Sequence, residues 1–333
     1  MGSRGSTPGQ PMDNALVSDR QVAETKTWLR WWRVVLPLAL LVVFGSWAVT
    51  SPVGSSPDDD YHLSSIWCAG GERSGVCEVV EDEPQALAVP ESVGVAHECF
   101  AFQPAVTAAC TERLTETLVP AERVNNRQGL YPSSFYRVMN VFVGDDPQRS
   151  VLMMRLFNAI VFVALLSLAV IVLAPAIRSA VTVVTAVVLV PLGLFIIPST
   201  NPSSWTVTGV IFLWAFGLSL AQRTSWRSRR TWLLAVATCL SAFLAIGSRV
   251  DASAFVALAV IVVFVLTGWA KARASWISFV VLLVLATIGL VQFATFGTPG
   301  GDVSGRMGGA EPGLGLFLTN VVYVPVYGIG AVG

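Results

Sequence analysis

VLMMRLFNAIVFVALLSLAVIVLA, residues 151–174, decides the fold class, because Arg155 is its one ionisable side chain. Crossing the hydrocarbon core of a bilayer takes about 20 apolar residues, with a range of about 17–25. Working outward, six further stretches read the same way: Val34–Thr50, Ala180–Ile197, Trp205–Ala221, Trp232–Ile246, Ala252–Trp269 and Trp276–Phe296. An eighth, Leu314–Val332, is weaker, carries Pro325 and runs to the end of the chain. Trp205, Trp232, Trp269 and Trp276 each stand at a proposed end, where aromatic belts belong. The expectation is an all-α polytopic membrane protein with seven or eight transmembrane helices.

Composition agrees. The 333 residues are 54% hydrophobic and 13% charged, whereas a soluble domain carries about a quarter charged residues. The net charge of zero hides an asymmetry. Of 21 acidic residues, 15 lie between Asp58 and Asp146, and only Asp251, Asp302 and Glu311 follow. The basic residues are scattered or sit at membrane edges, which excludes a nucleic-acid partner.

Excess Lys and Arg in short loops marks the cytoplasmic side. Lys26, Arg30 and Arg33 precede the first stretch; Arg178, then Arg223, Arg227, Arg229 and Arg230, then Lys271 and Arg273 fall in alternate later loops without acids. The N-terminus therefore reads as cytoplasmic in the plasma membrane. Residues 1–25 form a polar, disordered tail. Residues 34–50 are the first transmembrane helix, and 51–150 an acidic extracytoplasmic loop with interfacial helices. Residues 151–333 are a transmembrane bundle that stops inside an apolar stretch without a basic stop, and so reads as incomplete at its C-terminus. A cleaved signal peptide is the rival reading of 34–50, but about 33 preceding residues is long for its charged region. No repeat of fixed period is present.

Cys68, Cys77, Cys99 and Cys110 lie in the large loop. An even count in an oxidising compartment implies two disulfides. Three connectivities are possible; Cys68–Cys77 with Cys99–Cys110 is favoured because Gly70, Gly71 and Gly75 let the first loop close. Zinc is disfavoured by the spacing. Cys239, mid-span, reads as a small buried apolar residue.

Four clusters carry candidate chemistry. In Pro57-Asp58-Asp59-Asp60-Tyr61-His62, Asp58 and His62 are i,i+4 neighbours if Asp58 opens a helix. Mutual repulsion raises at least one carboxyl pKa, which suits a general base, a phosphate-linked ligand or a metal held by Asp58, Asp59 and Asp60. The bland reading is N-capping. In Tyr131-Pro-Ser-Ser-Phe-Tyr136, the recurrence of Phe135, Val138, Met139 and Phe142 predicts an interfacial helix, with Tyr131 and Tyr136 able to stack on a sugar ring. Pro198-Ser-Thr-Asn201-Pro-Ser203 makes a rigid turn with Ser203 as a cap, and Asn201 is its ligand-binding candidate. In Gly247-Ser-Arg249-Val-Asp251, Arg249 either pairs with Asp251 or turns inward to a lipid-linked phosphate. Arg155 either snorkels to headgroups or pairs with a phosphate. The topology gathers all of them on one side of the membrane.

One span, then Pro-Asp-acid-x-x-His, a long loop ending in a Tyr-Pro-x-x-x-Tyr helix, then Arg-Leu-x-Asn opening the next span resembles the bacterial membrane family catalogued as domain of unknown function 2142. The Asn-Pro-Ser and Ser-Arg-x-Asp loops follow in the same order, and the resemblance runs from about Trp32 to the C-terminus. That family is similar in layout to GT-C glycosyltransferases, which use a polyprenyl-phosphate sugar donor, some with a divalent metal. The resemblance implies catalytic roles for Asp58, Asp59 and His62, one aspartate acting as base, with Arg155 and Arg249 at the donor phosphate. The implied partners are membrane lipid, a lipid-linked sugar and an envelope glycan acceptor. Ser133 and Ser134 stand where the family shows a second aromatic, and Asp60 where a proline is common. A transporter or flippase and a non-catalytic scaffold are the alternatives; the first is disfavoured because no proposed span has a central charge or an inverted repeat.

Overall fold

A computed structural model of the chain describes residues 34–80, 83–121, 126 and 129–296. The tail 1–25 and the stretch Leu314–Val332 lie outside them. Residues up to Phe293 belong to one compact unit; of the second, from Ala294, only the last residues of the final helix are described.

The helices begin with α1 (Val34–Thr50), α2 (Asp59–Cys68), α3 (Glu91–Gly94) and α4 (Ser133–Asn140). There follow α5 (Pro147–Val172), α6 (Pro175–Val188), α7 (Pro191–Ile196) and α8 (Ser203–Ala221). The last are α9 (Arg229–Ser248), α10 (Val250–Thr267), α11 (Trp269–Ala274) and α12 (Trp276–Phe296). Among the described residues, α5, α8, α9, α10 and α12 are long and apolar enough to cross a membrane, and α1 and α6 are apolar but shorter. All seven of the first-rank stretches fall on helix. Two are not continuous: Ala252–Trp269 crosses the break at Gly268 before its last residue, and Ala180–Ile197 is broken between α6 and α7, because Pro191 has no N–H for the helix ladder and its ring crowds the preceding turn.

The segment between α1 and α5 is not purely helical, which corrects the all-α expectation. Strands β1 (Glu78–Val80), β2 (Glu83–Pro90) and β3 (Leu118–Pro120) form an antiparallel sheet in the order β1-β2-β3, with Val79 opposite Leu87 and Val89 opposite Val119. Leu87 and Val89 are buried and Ala88 between them is not, the period-two signature of a half-buried strand. The two disulfides are Cys68–Cys77 and Cys99–Cys110, with Cα separations of 5.3 and 6.0 Å.

The bundle is knitted by aromatic contacts from α1 through α5 to α8: Phe44 meets Phe162 at 5.7 Å, and Phe162 meets Phe212 at 5.5 Å. Large apolar side chains such as Ile261 and Val265 of α10 and Leu283 and Ile288 of α12 face outward, as lipid-facing surfaces do. With lipid outside, close packing rather than water exclusion holds helices together, and small residues at the contact permit it. Gly209 on α8 is such a residue: a Cβ there would lie 2.6 Å from the Ala245 nitrogen and the Ser241 carbonyl of α9.

Two expectations are corrected. Trp205 is not in an aromatic belt but is 2% exposed, its indole N–H donating to Asn158; Trp232, Trp269 and Trp276 are exposed as a belt requires. Cys239 is exposed on the outward side of α9 rather than buried.

Cross-links sort the helix ends into two faces. On the first lie the ends at Thr50, Pro147, Ser203, Ser248 and Val250, joined through Arg155 to Ser51, Asn201 to Pro57 and Thr206 to Ser248. On the second, Arg230 donates to the carbonyl of Val172 and Ser275 to that of Ala221. Arg178 and Arg230 thus complete the C-terminal end of α5, where cations suit the helix dipole.

Candidate functional site

The first face carries every side chain singled out above, and α2 organises them. Its entry is unusual. Asp58, the residue before α2, has φ 57° and ψ 27°, in the left-handed region that non-glycine residues seldom adopt. Its side chain makes no helix-capping bond, so the capping role does not account for it. The turn is fixed from outside: Asn201 Nδ2 donates to the Pro57 carbonyl at 2.7 Å. Asp58 is exposed while Asp59 is 2% exposed and His62 1%.

Asp59 is enclosed in a polar knot. One carboxyl oxygen accepts from the Ser56 amide at 2.9 Å and the other from the Thr200 hydroxyl at 2.6 Å. Arg155 lies 4.0 Å away. Burial raises the Asp59 pKa above the ordinary carboxylate value, against the opposing pull of Arg155 and the Thr200 and Ser56 hydrogen bonds. A raised carboxyl was expected from repulsion among three aspartates; desolvation is the cause instead.

Arg155, 2% exposed, is committed to the chain. Nη1 donates to the Ser51 and Ala48 carbonyls, and Nη2 to the Pro52 carbonyl at 2.9 Å and the Ser55 hydroxyl at 3.3 Å. These serve the carbonyls at and beyond the end of α1, that of Pro52 also accepting from the Ser55 amide. The geometry is that of a built-in helix cap. Asn201 is committed to the chain likewise. Besides holding Pro57, its Oδ1 accepts from the Ser203 amide at 2.8 Å, fixing the start of α8.

His62 and the aromatics form the second part. His62 Nδ1 and the Tyr136 hydroxyl are hydrogen-bonded at 2.9 Å. Burial pushes the Tyr136 hydroxyl far up, with Tyr61 and Tyr131 adding to the shift, so it is a neutral phenol. Tyr136 is 1% exposed. Tyr131 is half-buried; its ring lies 5.3 Å from His62, and the Arg249 guanidinium sits 5.7 Å above it. Arg249 also pairs with Asp251 at 3.0 Å, and its side chain is 33% exposed. Of the two readings of Arg249, the pairing with Asp251 is present, and the guanidinium also stays accessible over an aromatic face.

Asp58, Asp59 and Asp60 do not converge. Successive helix positions turn by about 100°, and among the described residues no group of three His, Cys, Asp or Glu side chains could hold a metal ion. The three carboxylates do not fit a metal centre.

Thr200, Ser56, Asn158 and Asn126 were not expected. Asn158 donates to the Ser199 carbonyl at 2.7 Å and accepts from Trp205, clamping the 199–205 turn to α5. Asn126 accepts from the Tyr61 hydroxyl and the Tyr131 amide. Thr200 meets Asp59 across 141 residues of sequence, a pairing no local pattern announces. The signals were that Asn158 closes the Arg-Leu-x-Asn motif and that Thr200 stands inside the Pro198–Ser203 turn.

The family described as predicted membrane protein (DUF2142) matches residues 41–320. Neither a curated protein nor a solved structure matches the chain.

Proposed function

The chain belongs to the DUF2142 family of membrane proteins, and from that premise we propose that it is a GT-C-like glycosyltransferase working at the extracytoplasmic face. In this reading the first face, with the disulfide-braced segment, is outside, and the arginines of the second face are cytoplasmic by the positive-inside rule. The donor is a polyprenyl-phosphate-linked sugar and the acceptor a cell-envelope glycan or lipid.

One observation carries the reading. α2 presents an exposed, left-handed Asp58 one helical turn from His62, and His62 leads through Tyr131 to the accessible Arg249. Strained backbone held by its surroundings is a mark of functional positions. The Asp58 carboxylate takes the proton of an acceptor hydroxyl, and the acceptor oxygen attacks the anomeric carbon. The bond to the polyprenyl phosphate breaks, and Arg249 meets the charge on the departing phosphate. His62, Tyr131 and Tyr136 position α2 and Arg249. Asp59, Arg155 and Asn201 hold the Asp58 turn.

Deleting the gene and restoring it with wild type, Asp58→Asn or Arg249→Gln tests this. The expected result is a lost sugar linkage in the envelope that wild type restores and Asp58→Asn does not, at equal protein level. An unchanged envelope on deletion, or full restoration by Asp58→Asn, overturns it. The broken helix α6–α7 favours transport, since discontinuous helices build substrate sites in transporters. The break at Leu189–Val190 offers no ionisable group, however, and substrate flux in proteoliposomes is the test of that reading.

A further inference from the structure

The opposite face carries a feature that the proposed reaction does not use. α10 runs from Val250, beside Arg249, to Thr267, about 27 Å at 1.5 Å per residue. Gly268, with φ +77°, then turns the chain into the short helix α11, and α12 returns. Between α10 and α12 lies a groove of about 520 Å³. Its walls are apolar, formed among others by Val260, Phe264, Phe279 and Leu283. Trp269 and Trp276 close the end at α11, 72% and 62% exposed, and Arg273 lies between them in sequence and lines the same groove. Lys271 is exposed two residues before it. Among the described residues no acid follows Asp251, which stands at the other end of α10.

An apolar cleft at lipid depth, an aromatic rim at the interface and a cation at its mouth match the parts of one molecule. We propose that this groove binds an anionic phospholipid, one acyl chain lying between α10 and α12 and the headgroup phosphate held at Arg273. The charge specifies the headgroup, since an arginine fork suits phosphate oxygens. The apolar walls specify a chain rather than a free anion. In the orientation proposed above, the site opens to the cytoplasmic leaflet, whose surface is negatively charged.

Native mass spectrometry of the full chain, released from detergent with added phosphatidylglycerol or phosphatidylcholine of identical chains, tests it. The expected result is a discrete bound lipid with phosphatidylglycerol preferred about fivefold or more, the effect of one well-placed cation. Arg273→Gln abolishes the preference, and Ile261→Trp, which fills the groove from its outward-facing wall, abolishes the discrete lipid. Inorganic phosphate at matching concentration does not displace it. Equal retention of the two lipids overturns the proposal, as does a preference that survives both substitutions or a lipid displaced by phosphate alone. An unchanged elution volume shows that each variant is folded.

Discussion

Two arginines on the same face of this protein, Arg155 and Arg249, look equivalent in the sequence and are opposites in the structure. Arg155 is sealed inside, with four hydrogen bonds to the segment 48–55 that closes α1. Arg249 is one-third exposed, paired with one carboxylate and laid over Tyr131. The neighbouring aspartates divide in the same way, Asp59 sealed and Asp58 exposed. A charged residue at a membrane edge can serve the fold or a ligand. What separates Arg155 from Arg249 is that backbone carbonyls have claimed the hydrogen bonds of Arg155.

The largest break in this comparison is Arg155→Ala. Removing one partner of a buried charged network typically costs about 3–5 kcal/mol, so the expected outcome is loss of folded protein from detergent extracts, read by size-exclusion chromatography. Gly209→Leu comes next. Its side chain must force α8 from α9, and overpacking typically costs about 1–3 kcal/mol, which a thermal melt in detergent reads as a lowered midpoint. Asp59→Asn keeps an acceptor for Thr200 but turns an amide toward the Ser56 N–H, and an unsatisfied buried group costs about 1–3 kcal/mol. Asp58→Gly sharpens the contrast, because glycine tolerates the left-handed region. Stability should rise by up to about 1 kcal/mol while the envelope linkage is lost. A fall in stability there would show that the Asp58 side chain serves the fold.

The smallest effect is a pH slope. Burial holds the Asp59 pKa above its unfolded value, so the folded state keeps a proton that the unfolded chain gives up. The stability this group contributes is fully present below the ordinary carboxylate value and is lost as pH rises through the raised one. Melts from acid to neutral pH should show that decline in wild type and a flatter line in Asp59→Asn. Parallel lines would mean that Asp59 ionises as an ordinary carboxylate.

Much of this molecule was legible without coordinates. The helices at 151–174, 205–221 and 276–296 follow from hydropathy, because a bilayer leaves the backbone few options. The acid-poor, arginine-bearing loops place alternate helix ends together. The pairing of neighbouring cysteines followed from loop length and glycine. The sequence also singled out the segments at 57–62, 131–136, 198–203 and 247–251, all of which converge on one face. It could not assign roles within them. Whether Asp58 or Asp59 is buried, whether Tyr136 meets a ligand or His62, and whether Arg155 is free depend on contacts such as Asp59–Thr200 and Arg155–Ser51, made by residues more than a hundred positions apart. Those contacts, and the small sheet, are tertiary decisions. Local propensity sets which segments become helices, but only packing fixes which polar atoms have their bonding capacity spent inside.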